Sequence, residues 1–284
     1  MSPVIDIHPH VIAADTKRYP SSPLSGEQSG WSRERPASFE RMIAAMDEAG
    51  VAKAALVQAS TCYGHDNSYL ADAVAVHPER FTGVFSVDVL RRDAPERIDY
   101  WMSRGLTGLR VFIAGHTAEA KDARLDDPRS FPAWERAGEA GIPVCVQLRA
   151  AGLPQLVTVL ERFPRVRVVL DHMARPTIAD GHPYTAAASL FSLARYGNLY
   201  LKLSTHNVRE SRAGKAAPGS FFARVVEEFG ASRIAWGSNF PASEGSLPGL
   251  LAEARAALAA LADRDHDWIF FRTAQSLYPA LAGP

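Results

Sequence analysis

Eight short runs of β-branched and apolar residues recur along the 284-residue chain, at 4–8, 54–60, 82–87, 107–112, 143–148, 166–172, 199–205 and 233–240. Between them lie longer segments whose apolar residues return at three and four: Phe39–Ala49, Asn67–His77, Glu96–Ser103, Phe131–Ala140, Leu153–Phe163, Tyr184–Arg195 and Phe221–Phe229. This alternation of period two with period 3.6 predicts strands joined by crossover helices. Glycines 50, 105, 141 and 230 follow helical runs where a left-handed cap is wanted, and Pro78 and Pro164 end two others. A strand such as Val166-Arg167-Val168-Val169-Leu170 is apolar almost throughout. Strands of a parallel sheet covered by helices on both faces read this way. Eight is the count at which such a sheet closes, so the expected fold is α/β, a single-domain (β/α)8 TIM barrel over residues 1–284. A doubly wound open sheet is the alternative, but no glycine-rich phosphate loop follows any strand, so nucleotide binding has no support. The segment from Ala13 to Ala37 is rich in Pro, Ser, Gly and Arg and lacks periodicity. Between the first strand and first helix of a barrel it would form a lid or wall of the site. Residues 247–281 hold two further helical segments that would complete the outer ring.

Charge narrows the partner. Thirty-one basic residues balance 31 acidic ones, which removes the electrostatic footprint of a nucleic-acid or membrane-surface binder and leaves a small molecule. With no signal-like N-terminus and no apolar run of about 20 residues, a cytoplasmic protein is expected. Cys62 and Cys145 are too few for a disulfide framework and are expected to be reduced thiols.

In a barrel the active site gathers at the carboxyl ends of the strands, so the polar residues there are the candidates. The first strand ends in His8-Pro-His10, and period-two geometry sends both imidazoles to one side. Arg110 lies on strand four, and strand five ends in Gln147-Leu148-Arg149. Strand six ends in Asp171-His172, strand seven supplies Lys202, Ser204 and His206, and strand eight supplies Ser238 and Asn239. Three histidines, His8, His10 and His172, are thereby expected at one mouth. His77, His182 and His266 fall at helix edges, where surface or capping roles are the default, while His65 and His116 sit in loops after strands and are left open.

These residues, in this order, resemble the amidohydrolase superfamily in its amidohydrolase-2 branch, and in particular the 2-pyrone-4,6-dicarboxylate lactonase-like hydrolases. The resemblance runs through Asp6-Ile-His8-Pro-His10, Ala49-Gly-Val51, Val57-Gln58 with Tyr63-Gly-His-Asp66-Asn67, and Gly108-Leu-Arg110. It continues through Val169-Leu-Asp-His172-Met-Ala-Arg-Pro176, Leu201-Lys-Leu-Ser204 and Ala235-Trp-Gly-Ser-Asn239-Phe-Pro241. It implies a barrel, hydrolysis of a lactone or related carbonyl compound, and His8, His10 and His172 facing the substrate. The chain departs from the pattern at Asn239, where the family carries the aspartate that acts as general base. An amide has no useful basicity and can only donate or accept hydrogen bonds. A second departure is Gln147, where metal-binding relatives carry a histidine ligand. His8, His10 and His172 would still suffice for Zn²⁺ or another divalent metal, but no cofactor is the expectation.

The expected division of labour gives base chemistry to His172 or His206 and carbonyl polarisation to His8 and His10. It gives an anion clamp to Arg110 with Arg149 and substrate orientation to Tyr63, Asn67, Gln147 and Ser204. The leading expectation is a hydrolase of a small, carboxylated cyclic ester. A decarboxylase-like lyase, or a ligand-binding relative without turnover, is the alternative that Asn239 raises. A homodimer is left open.

Overall fold

The computed structural model describes residues 3–24, 26–112 and 124–283. Eight parallel strands form one sheet in sequence order: β1 (Val4–Asp6), β2 (Val51–Val57), β3 (Phe81–Ser86), β4 (Gly108–Phe112), β5 (Val144–Gln147), β6 (Val168–Leu170), β7 (Leu199–Ser204) and β8 (Ile234–Gly237). The ring closes where Ile7 N–H donates to the Trp236 carbonyl at 3.2 Å. The fold is the expected (β/α)8 barrel. Helices at Phe39–Ala49, Ser68–Val76, Ala94–Ser103, Phe131–Ala140, Leu153–Arg162 and Pro218–Phe229 cover the strands.

Side chains alternate along each strand as the pleat requires. Val4, Leu56, Phe85, Leu109, Val144, Val168 and Leu201 face the helices, where they meet Met42, Leu70, Ile98, Trp134 and Leu156 in one continuous core. Ile5, Ala55, Val84, Cys145, Val169 and Ala235 point into the barrel. The C-terminal helix Thr273–Leu277 and the following Tyr278 and Leu281 pack against this inner set and plug the amino-terminal end of the barrel. Arg110 and Lys202 occupy inward positions of this same alternation, which places two cations inside the barrel beneath its open mouth.

Three sequence expectations are corrected. Strand two covers 51–57 rather than 54–60, because Gly50 takes a left-handed φ of 68° and the chain extends directly from it. The helix expected at 184–195 is a chain of single turns, 3-10 at Thr185–Ala187, α at Ala188–Phe191 and 3-10 at Ser192–Arg195. The segment 13–37 contains a short helix, Gly30–Glu34, whose Trp31 reaches the site. Both cysteines are buried free thiols. No described helix is long and apolar enough to cross a membrane. His116 lies outside the described residues.

Candidate active site

A cavity of about 430 Å³ opens at the carboxyl ends of the strands, with His10, His172, Arg110, Gln147, Asn239 and His206 among its lining residues. Beneath its floor lies His8, fully buried, with its ring edge-on to His10 and to His172 at 4.9 Å in each case. Gly237 makes this depth attainable: a Cβ there would sit 2.5 Å from His8 Cβ, so only glycine lets β8 pass the histidine so closely. Asp6 fixes the turn that follows β1, accepting from the backbone N–H of His8 and of Ser238, each at 2.9 Å. Burial pushes the Asp6 carboxyl up to about 6 against those hydrogen bonds.

The hydrogen-bond partners decide which ring nitrogen of each histidine carries the proton. His10 Nδ1 lies 2.8 Å from the Val57 carbonyl, which only accepts, so Nδ1 holds the proton and Nε2 is bare. For His172 the chain is one step longer. Asn207 donates through Nδ2 to the His172 carbonyl and accepts the Ser204 backbone N–H at Oδ1, which fixes its amide orientation. Ser204 Oγ donates to that same Oδ1 and therefore accepts from His172 Nδ1 at 2.7 Å, again leaving Nε2 bare. His8 is the opposite case. Its Nδ1 lies 2.8 Å from Lys202 Nζ, an ammonium that only donates, so the proton sits on Nε2. That buried N–H has no hydrogen-bond partner among the described residues. Burial lowers all three imidazoles, to about 3 for His10 and His172 and well below the usual value for His8, so all are neutral at pH 7.

Lys202 pairs with Asp171 Oδ1 at 2.7 Å, and Arg110 Nε approaches Asp171 Oδ2 at 3.4 Å. Burial alone would raise the Asp171 carboxyl, but the two cations hold it below the ordinary value. Arg110 further donates to the Gln58 carbonyl at 3.1 Å and to Gln147 Oε1. The expected clamp residue is thus committed to the barrel wall while still showing an edge to the cavity.

His172 to Arg175 all have positive φ, near 55°. This left-handed turn after β6, strained for side chains of this size, throws His172 inward and Arg175 onto the rim. Arg175 Nη2 donates to His206 Nδ1 at 2.8 Å. Burial, Arg175 and Arg149 lower His206 to about 4. With its lone pair taken, His206 presents an N–H and does not supply the base expected of it. Asn239 has a φ of 57°, a region asparagine tolerates, and donates to Ser243 Oγ at 3.1 Å.

Other expected substrate contacts lie elsewhere. Tyr63 Oη accepts from the Ala13 N–H at 2.8 Å and lies outside the cavity lining. Asn67 is fully buried, exchanging hydrogen bonds with the backbone of Ser86. Ser204 orients His172 from below, and Arg149 is exposed and acts on His206 only through its charge. His65 bonds Ser86 Oγ, His77 bonds Glu79, and His182 and His266 pack against Tyr184 and Phe270. Sequence reasoning missed Trp31, whose ring lies 5.3 Å from that of His10. It carried no signal, since it falls in the aperiodic segment. It also gave no role to Arg175 or to Asp171, although both lie within three residues of His172 and Asp171 stood among the strand-end polar residues.

The donor set does not fit a resident divalent metal. His8 presents a proton where a ligand needs a lone pair, and the Lys202 and Arg110 cations stand beneath the imidazoles. Gln147 brings an amide whose Oε1 is engaged by Arg110. Among the described residues no group of three or more His, Cys, Asp or Glu has metal-holding geometry.

Comparison with known proteins agrees with this architecture. An L-fucono-1,5-lactonase from Burkholderia ambifaria is 29% identical over 212 residues, covering 73% of this chain and 70% of its own. The crystal structure of a putative 2-pyrone-4,6-dicarboxylic acid hydrolase from Pseudomonas putida superposes with a TM-score of 0.79 at 22% identity, covering 98% of both chains. An amidohydrolase from Burkholderia multivorans, crystallised with bound zinc, superposes at 0.77 with 19% identity, covering 98% of this chain and 99% of that one. The family model described as Amidohydrolase matches residues 5–280, and the chain belongs to that family of barrel hydrolases.

Proposed function

We propose that the protein hydrolyses a small lactone or related cyclic ester bearing an anionic group, without a resident metal. What carries this reading is the mixed protonation of the three imidazoles, one N–H on His8 and a bare nitrogen on each of His10 and His172, whose ring centroids both lie 4.9 Å from that of His8. The relationship to a lactonase supports the substrate class.

A carbonyl oxygen seated at the floor, between His10 and His172, would accept from His8 Nε2–H, the buried donor that otherwise lacks a partner. An unsatisfied buried donor costs roughly 1–3 kcal/mol, which the growing oxyanion would recover. Lys202 behind His8 strengthens that donor as negative charge accumulates. Water held against the bare Nε2 of His172 or His10 adds to the carbonyl carbon and passes its proton to that nitrogen. The tetrahedral centre collapses, the ring C–O bond breaks, and the imidazole returns the proton to the departing oxygen. The products are a hydroxyl and a carboxylate, with one proton released to solvent. A base of low proton affinity is suited to this step because the neighbouring oxyanion raises it as the reaction proceeds. Asn239 takes no proton and orients water or substrate by hydrogen bonding. Asn239 also favours a second reading, a lyase of the decarboxylase type, in which no water is activated.

The test is acid release from a lactone panel that includes aldonolactones and pyrone dicarboxylate, with protein dialysed against a chelator. Wild type should release acid, and His10→Ala or His8→Ala should lower kcat by roughly 100-fold or more. Rates within about twofold of wild type in both variants would remove the imidazole array from the chemistry, and carbon dioxide in place of acid would establish the lyase.

A further inference from the structure

The cavity rim holds a cation that the fold leaves without an ion-pair partner among the described residues, the Glu210 carboxylate acting on it only from beyond ion-pair distance. Four arginines line the cavity: Arg35, Arg110, Arg175 and Arg209. Arg209 forms two hydrogen bonds to Glu253, both at 3.0 Å. Arg35 donates to the carbonyls of Pro241 and Ala242 and lies 3.6 Å from Glu244. Arg110 is held by Asp171, Gln58 and Gln147. Arg175 differs from these. Among the described residues no carboxylate lies within ion-pair distance of it, and its Nε is buried without a hydrogen-bond partner. Among the described residues its single side-chain hydrogen bond runs to His206 Nδ1, which turns His206 into a second N–H donor on the same rim. Arg149 adds positive charge to both. The backbone at Arg175 is left-handed, with a φ of 53°.

From this we infer that Arg175 and His206 form a carboxylate subsite, distinct from the Arg110 position, which grips the anionic group of the substrate while its ester carbonyl reaches the floor. The Arg175 Nη groups offer N–H bonds that a carboxylate accepts, and His206 Nε2–H offers a further one. The Arg175–His206 pair presents only donors and a positive charge, which suits a planar carboxylate. This inference rests on the hydrolase reading for the substrate's identity, but its test needs no turnover.

The probe is isophthalate, a ring dicarboxylate, titrated calorimetrically against wild type, Arg175→Gln, Arg175→Lys and Arg110→Met, with isophthalamide as the uncharged control. Arg175→Gln keeps side-chain bulk at the strained position, and an unchanged thermal midpoint certifies its fold. The expected result is an isophthalate Kd raised roughly 10-fold or more by Arg175→Gln, less by Arg175→Lys and less by Arg110→Met, with isophthalamide weak throughout. Wild type that fails to bind isophthalate, an Arg175→Gln Kd within about twofold of wild type, or isophthalamide binding as well as the dianion would each overturn the subsite. Loss of isophthalate in Arg175→Gln alongside a lactone panel without turnover would leave the subsite standing and defeat the hydrolase reading alone.

Discussion

Lys202→Met isolates the charge pair on which the site rests. Lys202 is fully buried, 2.7 Å from Asp171 and 2.8 Å from His8 Nδ1. Methionine conserves most of its volume, so the change removes charge rather than packing. Removing one partner of a buried ion pair typically costs about 3–5 kcal/mol, because the other charge stays buried without compensation. Arg110 remains 3.4 Å from Asp171, which places the expected loss near the lower figure, about 3 kcal/mol. For a chain of this size that is a fall in thermal midpoint of roughly 6–12 °C. The pH dependence has a definite sign. In wild type the Asp171 pKa lies below its unfolded value, so its contribution is present above that unfolded value and is lost as pH falls through the folded one. In the variant, burial without Lys202 should raise that carboxyl above its unfolded value, so its penalty is greatest at neutral pH and fades on acidification. The gap between the two proteins should therefore narrow as pH falls through the carboxylate range. Urea titrations across that range measure it, and the double variant Lys202→Met/Asp171→Asn should recover much of the loss. A gap below about 1 kcal/mol at pH 7, or one independent of pH, would refute the buried pair.

Two further outcomes follow from the same site. His10 and His172 have pKa values lowered to about 3 by burial, so the unfolded chain binds their protons first and stability should fall as pH drops from about 6.5 towards that value, at about 1.4 kcal/mol per pH unit for each group. His172→Asn should remove one such increment from the slope of urea-unfolding free energy against pH, and an unchanged slope would show that His172 is not held neutral. Asn239→Asp preserves the left-handed backbone, turns the Ser243 hydroxyl from acceptor to donor, and introduces a base at the cavity wall. Acid release from a lactone should rise and acquire a carboxylate limb in its pH profile, whereas equal rates and profiles would mean that position 239 does not act on the attacking water.

The barrel was legible in the sequence because its signals are local. Eight apolar runs, helical crossovers and glycine caps each follow from the backbone preferences of neighbouring residues, so strand count and order came out without long-range information. The histidines were legible for a related reason: a strand end in a parallel barrel has one destination, so His8, His10 and His172 had to converge. The protonation of those rings could not be read. It depends on partners brought in from strands far away in the chain, the Val57 carbonyl for His10, Ser204 with Asn207 for His172, and Lys202 for His8. Depth was equally hidden, since Tyr63 and Asn67 look like substrate contacts in a loop yet are tied to backbone groups of Ala13 and Ser86. The same holds for charge. Sequence reasoning made Arg110 the clamp and gave Arg175 no role, and only the closed sheet sets Asp171 beside Arg110 while leaving Arg175 on the rim without an ion-pair partner among the described residues.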